Sequence, residues 1–453
     1  MLLPCRLHTI LNRRVWHPFL ARSPSSFPVS VGSCSRTARI KNMSLLSVHN
    51  FPEEDLSESG DAVQGYFRAW LGMQLDGGRY CIVRKLGWGA FSTVWLVRDF
   101  KLERYAALKI MTREATSKVE SGESDEIAML EKIASADPLY KGSRHLLEFY
   151  EAFKISGPNG AHQCVLTEVL GTSIDDLRLE TEHRLSVGLV KTVIRQALIG
   201  LDYLHTSCGI VHTDIKFDNL LLRLVDMPAA IARAITTSPS RTHEGFIDLD
   251  PSPYIVDSQP ITIPLDSLNY LDSHQVEVAI ADLGHAQWSD RHSVDDIQPT
   301  GLRAPEVILG YPWDQAVDVW SIGCLTIELL AGTPVFAINP FTKEWTLDED
   351  HLAQMTDVLG ETFPTDMLAK SRNRDQFFKD SAFIHSSFPR HSNWQLRSFL
   401  TVDHSIITSN EQDIDAAYDF LRRCLRLRPE DRSAAKDLAD HPWLNTSSHT
   451  DSG

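Results

Sequence analysis

The run of residues 210–219 constrains this chain more than any other, because it holds an acid, a lysine and an amide within six residues. Asp214 can accept the proton of an attacking hydroxyl, Lys216 can neutralise the charge on a transferred phosphoryl group, and Asn219 can ligate a metal ion. Such a set is typical of a phosphoryl-transfer loop. A polar turn that caps a strand is the alternative, so partner residues elsewhere must decide between the two.

A glycine-rich stretch at residues 86–95 is the first such partner. Because glycine has no Cβ, Gly87 and Gly89 allow backbone N–H groups to approach a phosphate closely. An ordinary hairpin turn accounts for a glycine pair equally well. A dinucleotide-binding fingerprint fits less well, since Ser92 occupies the third glycine position and no helix signal follows directly.

A single lysine, Lys109, stands in an apolar strand at residues 106–110. A buried lysine needs an anionic partner, which nucleotide phosphates and Glu126 can both supply. The alternative is a lysine whose ammonium group reaches the surface. Three nearby acids compete with Glu126 for the lysine: Glu120, Glu123 and Glu131.

The metal-binding carboxylate is expected at Asp282, which follows a β-rich run at residues 278–281 and precedes a turn that Gly284 permits. Magnesium prefers a few protein oxygen ligands together with phosphate and water. One carboxylate from Asp282 and one amide from Asn219 are therefore sufficient for a Mg²⁺ site.

Three further features follow in order along the chain: Glu306 after Ala-Pro, Asp318 at the start of an apolar helix, and Arg432 after an acidic turn. Together with the motifs above, this set resembles the eukaryotic protein kinases. The resemblance implies an α+β, two-lobed fold, with a small β-rich lobe that has one main helix and a large, mainly helical lobe. It also implies that Glu306 pairs with Arg432 and that Asp318 supports the catalytic loop.

Finer features resemble the SR-protein kinase family. They are the Gly-Trp-Gly-x-Phe-Ser-Thr-Val-Trp run from Gly87, Thr213 in place of the usual arginine, Asp-Leu-Gly from Asp282, and the acidic run at residues 348–351. The resemblance covers roughly residues 66–445 and implies a serine/threonine kinase for Arg/Ser-rich proteins such as splicing factors. Residues 299–303 depart from that family's pattern, which leaves open the specificity for the residue after the phosphoacceptor.

The same resemblance assigns the ATP site. Lys109 and Glu126 align the phosphates, Lys216 stabilises transferred charge, and Asp214 acts as the base. Adenine is expected against the backbone of residues 168 and 170, with Thr167 at the back of the pocket. The complete set of expected pocket residues is Leu86, Gly87, Gly89, Ser92, Val94, Ala107, Lys109, Glu168 and Leu170.

Substrate docking is expected at an acidic helix that begins near residue 348. Its four acids are Asp348, Glu349, Asp350 and Asp357. Asp350 and Asp357 share one face because they are seven residues apart, so a basic peptide can lie along that face. Acids that simply complement the helix dipole are the alternative. Thr333 stands where the SR-protein kinases normally have another acid, which weakens the expected groove.

The activation segment is expected to be ordered without phosphate. The arginine that usually clamps a phosphorylated loop residue is replaced by Thr213, so a phosphate has less to hold it. We therefore expect the enzyme to be active as made. Ser289, Ser293 and Thr300 should be dispensable as switches.

An insert is expected at about residues 223–275. Asp214 and Asp282 are 68 residues apart, whereas a compact kinase needs about 20, so roughly 50 must loop out. The insert is rich in Pro, Ser and Asp, which predicts a segment too polar for a core. Its function is open.

The remaining organisation follows from composition. We expect a basic tail or transit-like segment (1–50), an extension (51–79), a kinase domain (80–445, with lobes at 80–168 and 171–445) and a short tail (446–453). Residues 1–50 contain seven Lys or Arg and no acid, and the whole chain has a formal charge of −16, so the remainder carries −23. This acidity favours basic partners over nucleic acid, although it can simply promote solubility.

Seven scattered cysteines without C-x-x-C spacing indicate a reducing compartment. No apolar run approaches the roughly 20 residues of a membrane span. We expect a monomer in the cytoplasm and nucleus, or in mitochondria if residues 1–42 act as a transit peptide. Two rival classes stay open besides a kinase for another basic substrate: a pseudokinase scaffold, which the complete polar set disfavours, and a small-molecule kinase.

Overall fold

The computed structural model describes most of the chain beyond residue 52. The described residues are 53–54, 56, 65–137, 139–157, 160–181, 185–224, 226–243, 255–262, 276–337, 346–384, 395–401 and 411–445. The chain divides into two units, residues 1–50 and 51–453, and all that follows concerns the second. The predicted N-terminal and C-terminal tails, 1–50 and 446–453, lie outside the described residues, as do residues 244–254 and 263–275 of the insert.

The small lobe is built on a six-stranded antiparallel sheet with strand order β1-β2-β3-β4-β6-β5. The strands are β1 (Gln74–Leu75), β2 (Tyr80–Gly89), β3 (Ser92–Asp99), β4 (Arg104–Met111), β5 (Phe149–Gly157) and β6 (Gly160–Thr167). Side chains alternate between the two faces of a strand. In β4, Ala106, Leu108 and Ile110 are therefore buried in the core of the lobe, while Lys109 lies on the opposite face.

Two helices complete the small lobe: α1 (Arg113–Ser121) and α2 (Glu126–Ser135). The Thr112 side chain accepts a hydrogen bond from the backbone N–H of Ala115 and so caps α1. Gly122 ends α1 with a φ of +77°, a conformation that glycine adopts without steric cost. The second helix carries Glu126 at its first position.

The large lobe is mainly helical, as the resemblance implied. Its helices are α3 (Ile174–Glu180), α4 (Val187–Asp202), α5 (Met227–Thr237), α6 (Pro305–Leu309), α7 (Ala316–Ala331), α8 (Leu347–Leu359), α9 (Thr365–Lys370), α10 (Arg374–Phe377), α11 (Ser398–Thr401), α12 (Glu411–Cys424), α13 (Ala435–Ala439) and α14 (Pro442–Asn445). Helix α7 is apolar on all sides and packs at the centre, against α4 and α12. Among the residues described, no helix is long and apolar enough to cross a membrane.

The remaining described strands are short: β7 (Ile210–Val211), β8 (Leu220–Arg223), β9 (Thr242–His243), β10 (Ile255–Val256), β11 (Glu277–Ile280), β12 (Gln287–Trp288), β13 (Phe378–Lys379) and β14 (Ala382–Phe383). β11 pairs with β8 in antiparallel register, and Ile280 lies opposite Leu220. β12 pairs with β7. These pairings bring residues 212–219 and residues 281–286 together at one edge.

Parts of the extension and of the insert also pack against the small lobe. In the extension, Tyr66, Phe67 and Leu75 are buried, so the ordered small lobe begins before residue 80. The insert places Ile231 and Ile261 in an apolar cluster with small-lobe residues. The expectation that the insert is too polar for a core is corrected for these residues, because Ile231 on α5 and Ile261 in the returning segment are both buried in this cluster.

Candidate active site

The catalytic loop is held from below by Asp318, which is fully buried at the start of α7. Its carboxylate accepts hydrogen bonds from the backbone N–H groups of His212 and Thr213, both at 2.8 Å. The Nε2 atom of His205 lies 2.9 Å from the same carboxylate. A buried carboxylate with three partners is satisfied, and it fixes the backbone immediately before Asp214.

The three predicted residues of the loop meet at the carboxylate of Asp214. Lys216 Nζ lies 2.7 Å from Asp214 Oδ2, and Asn219 Nδ2 donates to the same oxygen at 3.1 Å and to the Asp214 carbonyl at 2.9 Å. Burial lowers the pKa of Lys216, but the charge of Asp214 outweighs it and the pKa is raised. The lysine is therefore a permanent cation beside the base.

The two metal-ligating candidates lie at the end of the β8–β11 pair. The backbone N–H of Ala281 donates to the carbonyl of Asn219 at 2.9 Å, which continues the ladder and places Asp282 one residue further on. The amide nitrogen of Asn219 is used by Asp214, so Oδ1 is the atom left for a cation. A half-exposed carboxylate and an amide oxygen form a hard oxygen donor set that fits Mg²⁺.

Lys109 joins the two lobes at the site. Its Nζ lies 2.7 Å from Glu126 Oε1 and 3.2 Å from Asp282 Oδ1. Glu126 is therefore the partner among the four glutamates considered. Burial opposes the charge of Lys109, but Asp282 and Glu126 raise its pKa, and the lysine charge in turn lowers the pKa of Asp282 below its ordinary range.

A single cavity of about 360 Å³ contains these groups, a size suited to a small ligand. All nine expected pocket residues line it, as do Thr167, Glu126 and Asp282. Sequence reasoning missed the contribution of the insert, which supplies Pro260 and Ile261.

The backbone of Glu168, which the sequence predicted to bind adenine, is already partly used within the protein. Its N–H donates to the carbonyl of Glu148 at 3.0 Å, and its carboxylate binds Arg223 at 2.8 Å. Its carbonyl accepts the Thr167 hydroxyl at 3.0 Å. Because a carbonyl oxygen has two lone pairs, that carbonyl still has one acceptor position for a ligand.

The glycine-rich turn between β2 and β3 is tied to the extension. The buried Tyr66 donates its hydroxyl to the carbonyl of Gly89 at 2.8 Å, and its ring packs edge-on against Trp88. Nothing in the sequence pattern near Tyr66 indicated this contact, because 23 residues separate the two partners.

The activation segment is held by three hydrogen bonds that do not involve phosphate. Thr213 donates its hydroxyl to the carbonyl of His285 at 2.7 Å. Asp125, directly before α2, accepts hydrogen bonds from Trp288 Nε1 at 2.8 Å and from Arg291 at 2.7 Å. The Asp125 contacts were missed from sequence, and they anchor the helix that carries Glu126 to the activation segment.

The structural pair lies deep in the large lobe. Arg432 contacts both carboxylate oxygens of Glu306, at 2.6 and 2.7 Å, and neither side chain is exposed. The guanidinium also donates to the carbonyls of Ala316 and Arg426 and lies over the Trp320 ring. The two bonds to the carboxylate have the bidentate geometry of a strong arginine–carboxylate pair.

The four acids expected to dock substrate differ in their surroundings. Asp348, Asp350 and Asp357 are partly exposed on α8, whereas Glu349 is buried. The Glu349 carboxylate accepts a hydrogen bond from the backbone of Thr346 at 2.7 Å in a capping box. Glu349 is therefore removed from the docking set, because its charge is committed to the start of its own helix.

Comparison with known proteins gives one consistent result. The protein kinase domain family matches residues 80–231 and 265–444. The serine/threonine-protein kinase SRPK of Physarum polycephalum is 33% identical over 414 residues, covering 87% of this chain and 92% of that protein. Protein kinase dsk1 of Schizosaccharomyces pombe is 30% identical, covering 84% of this chain and 83% of that protein. SRSF protein kinase 3 of Mus musculus is 28% identical, covering 84% and 89% respectively.

Proposed function

The chain belongs to the SR-protein kinase family of serine/threonine protein kinases, and from that premise we propose that it transfers the γ-phosphoryl group of ATP, with Mg²⁺, to serines in Arg/Ser-rich proteins. The observation that carries the proposal is an arrangement of two adjoining groups. Lys109 and Asp282 line one cavity, and Asp214, Lys216 and Asn219 form a hydrogen-bonded cluster that the backbone bond from Ala281 to Asn219 places next to Asp282. ATP and a divalent metal are the general requirements of the protein kinase domain.

The chain's own residues divide the chemistry. Asp214 accepts the proton of the substrate hydroxyl, and Lys216, 2.7 Å from it, stabilises the negative charge that passes to the substrate. Asn219 and Asp282 would hold Mg²⁺, which when bound neutralises phosphate charge. Lys109, aligned by Glu126, would hold the phosphates on the small-lobe side.

The choice of Arg/Ser-rich substrates rests on charge and on relatives. A body of formal charge −23 favours basic partners, and the SRSF protein kinase 3 of Mus musculus carries a name that refers to such substrates. Asp350 and Asp357 supply local negative charge on one face of α8. Asp350 is oriented by Gln354, whose amide donates to it at 2.8 Å and also bonds the backbone of Ala337.

The test is a phosphorylation assay on a peptide array with Arg-Ser repeats, acidic peptides and proline-directed peptides. We expect Arg-Ser peptides to be phosphorylated fastest, and we expect salt to slow them most because exposed charges are screened. Faster phosphorylation of acidic peptides would reject the substrate class and leave the kinase activity intact.

We further propose that the enzyme needs no upstream kinase, since Thr213 and Asp125 hold the activation segment without phosphate. Protein made in bacteria and treated with phosphatase should retain full activity. Variants with alanine at Ser289, Ser293 and Thr300 should separate a switch from a structural contact. Activity that appears only after phosphorylation of the segment would refute this part.

A further inference from the structure

The insert is bonded along the outer edge of β2. The Gln259 N–H donates to the Lys85 carbonyl at 2.9 Å, and the Ser240 hydroxyl donates to the Val83 carbonyl at 3.2 Å. In the other direction, the buried Arg84 donates to the carbonyl of Ala234 at 2.8 Å and to that of Ser238. The returning segment of the insert is therefore fixed against the strand that leads into the glycine-rich turn.

The N-terminal extension reinforces the same position. Lys85 is fully buried and contacts the carboxylates of Glu53, at 2.7 Å, and Glu54. Ser258 of the insert donates its N–H and its hydroxyl to Glu53, at 2.7 and 2.8 Å. Buried charges hold their geometry when they are paired and hydrogen-bonded, so these contacts define the path of residues 258–261.

That path brings two insert residues to the cavity that contains Lys109 and Asp282. Pro260 and Ile261 line it beside Leu86, Val94 and Ala107. Ile261 is only 1% exposed and packs in one apolar cluster with Ala107 and Val169. The cavity thus has an apolar wall from a segment that the protein kinase family match does not include, since it skips residues 232–264.

We propose that Pro260 and Ile261 form the outer wall of the adenine site, and that the insert thereby sets the affinity of this kinase for the purine base of ATP. This inference rests on the proposed nucleotide site. The reason is the character of the contacts: the wall is apolar and faces the apolar end of the cavity, whereas the phosphates belong with Lys109 and Asp282. The insert therefore discriminates by base and not by phosphate.

The principal test compares Ile261→Ala with a matched control, Ile235→Ala. Ile235 packs against the same apolar cluster but does not line the cavity. Binding of a fluorescent N-methylanthraniloyl ATP and the KM for ATP should weaken on the order of tenfold for Ile261→Ala, the size of effect of missing methylenes in a hydrophobic pocket. Ile235→Ala should leave both close to wild type, because Ile235 does not line the cavity. Equal weakening of ATP binding in the two variants would overturn the proposed wall of the adenine site, because it would indicate general loosening of the insert.

A second probe separates the base from the phosphates. Magnesium tripolyphosphate has no base, so its affinity, measured by competition, should be the same in wild type and Ile261→Ala. A parallel loss of tripolyphosphate affinity would overturn the proposal. Ile261→Val, which removes one methyl group, provides a milder variant that should still weaken ATP binding more than Ile235→Ala does.

The outcome for the wild-type protein keeps the two proposals apart. Wild type that binds ATP and phosphorylates substrate, with an Ile261→Ala variant of unchanged ATP affinity, would reject the wall alone. Wild type that neither binds nor uses ATP would reject the proposed nucleotide site itself.

Discussion

Two ion pairs in this protein have similar distances and opposite surroundings. Glu306 and Arg432 are both fully enclosed, and every oxygen of the carboxylate has a partner. Lys109 and Glu126 are equally close, at 2.7 Å, but the lysine side chain is 21% exposed and has a further partner in Asp282, which is half-exposed. The Glu306–Arg432 pair therefore lies in the packed core, and the Lys109–Glu126 pair lies at the cavity.

The difference in surroundings indicates that the two ion pairs have different roles, one in stability and one in catalysis. A pair with no solvent and no exchangeable partner can only hold its neighbours, and removal of one member leaves a buried charge unpaired. Lys109 instead shares its charge with a carboxylate that can be replaced by phosphate when a nucleotide binds. The enclosed pair should therefore control stability, and the open pair should control activity.

The largest effect is expected from substitutions of the catalytic carboxylates near the open ion pair. Asp214→Asn should reduce phosphoryl transfer about 10²- to 10⁴-fold, because proton transfer to the base contributes that much. Asp282→Asn should abolish transfer and also weaken ATP binding, since a metal ligand is lost. Thermal melting of both variants should match wild type. Rates near those of wild type in either variant would contradict the assignment.

The next largest effect is expected from disruption of the enclosed pair, Glu306 and Arg432. Arg432→Met leaves the Glu306 carboxylate buried and unpaired, so the free energy of unfolding should fall by about 3–5 kcal/mol in urea denaturation. The double variant Glu306→Gln with Arg432→Met should recover part of this loss. Lys109→Met is the matched control: it should cut turnover by orders of magnitude. It should lower the free energy of unfolding less than Arg432→Met does, because the Glu126 carboxylate that it leaves unpaired borders a cavity. Equal destabilisation by Arg432→Met and Lys109→Met would show that the two ion pairs do not differ in their contribution to stability.

A third effect concerns another enclosed group, the buried His351, which burial keeps neutral. The ring nitrogens of His351, on α8, have no hydrogen-bond partner among the described residues, and burial, assisted by the nearby Arg303, lowers its pKa to about 3. The unfolded chain binds a proton below its ordinary pKa of 6.5, whereas the folded protein does not. Stability should therefore fall as the pH drops from 6.5 towards 3, by at most about 1.4 kcal/mol per unit. Urea denaturation of His351→Leu should show a smaller slope.

The smallest effect concerns charges at the surface. Exposed ion pairs contribute about 0.2–1 kcal/mol each, so Asp350→Ala with Asp357→Ala should raise the KM for a long Arg-Ser substrate about two- to tenfold. The kcat on a short peptide should stay near wild type, and Thr333→Asp should lower the KM. An unaltered KM in the double variant would leave α8 without a docking role.

The sequence allowed the catalytic geometry to be anticipated because each motif is short and local. Asp214, Lys216 and Asn219 lie within six residues, so their proximity follows from any compact loop. The two-lobed α+β fold was implied by the resemblance of these motifs to the protein kinases and is confirmed by the family match. Among the four glutamates considered, the one that the structure pairs with Lys109 is Glu126, at the first position of α2.

The missed contacts all join residues far apart in the chain. Trp288 and Arg291 reach Asp125 across more than 160 residues, and Ser258 reaches Glu53 across 205. Composition suggested a polar insert, yet a single side chain, Ile261, is enough to line a cavity. Periodicity reports which face of an element is apolar, but it does not report which distant element covers that face.

The free thiols give each lobe its own reporter of local opening. Cys164 lies in β6 of the small lobe, whereas Cys208, Cys324 and Cys424 lie in the large lobe, and all four are buried thiols whose pKa is raised by burial. Cys81, on β2, is only partly buried. Because alkylation requires an accessible thiolate, the rate at which each buried cysteine becomes modified measures how often its own part of the fold opens. Mass spectrometry of timed alkylation would thus time the two lobes separately within one molecule.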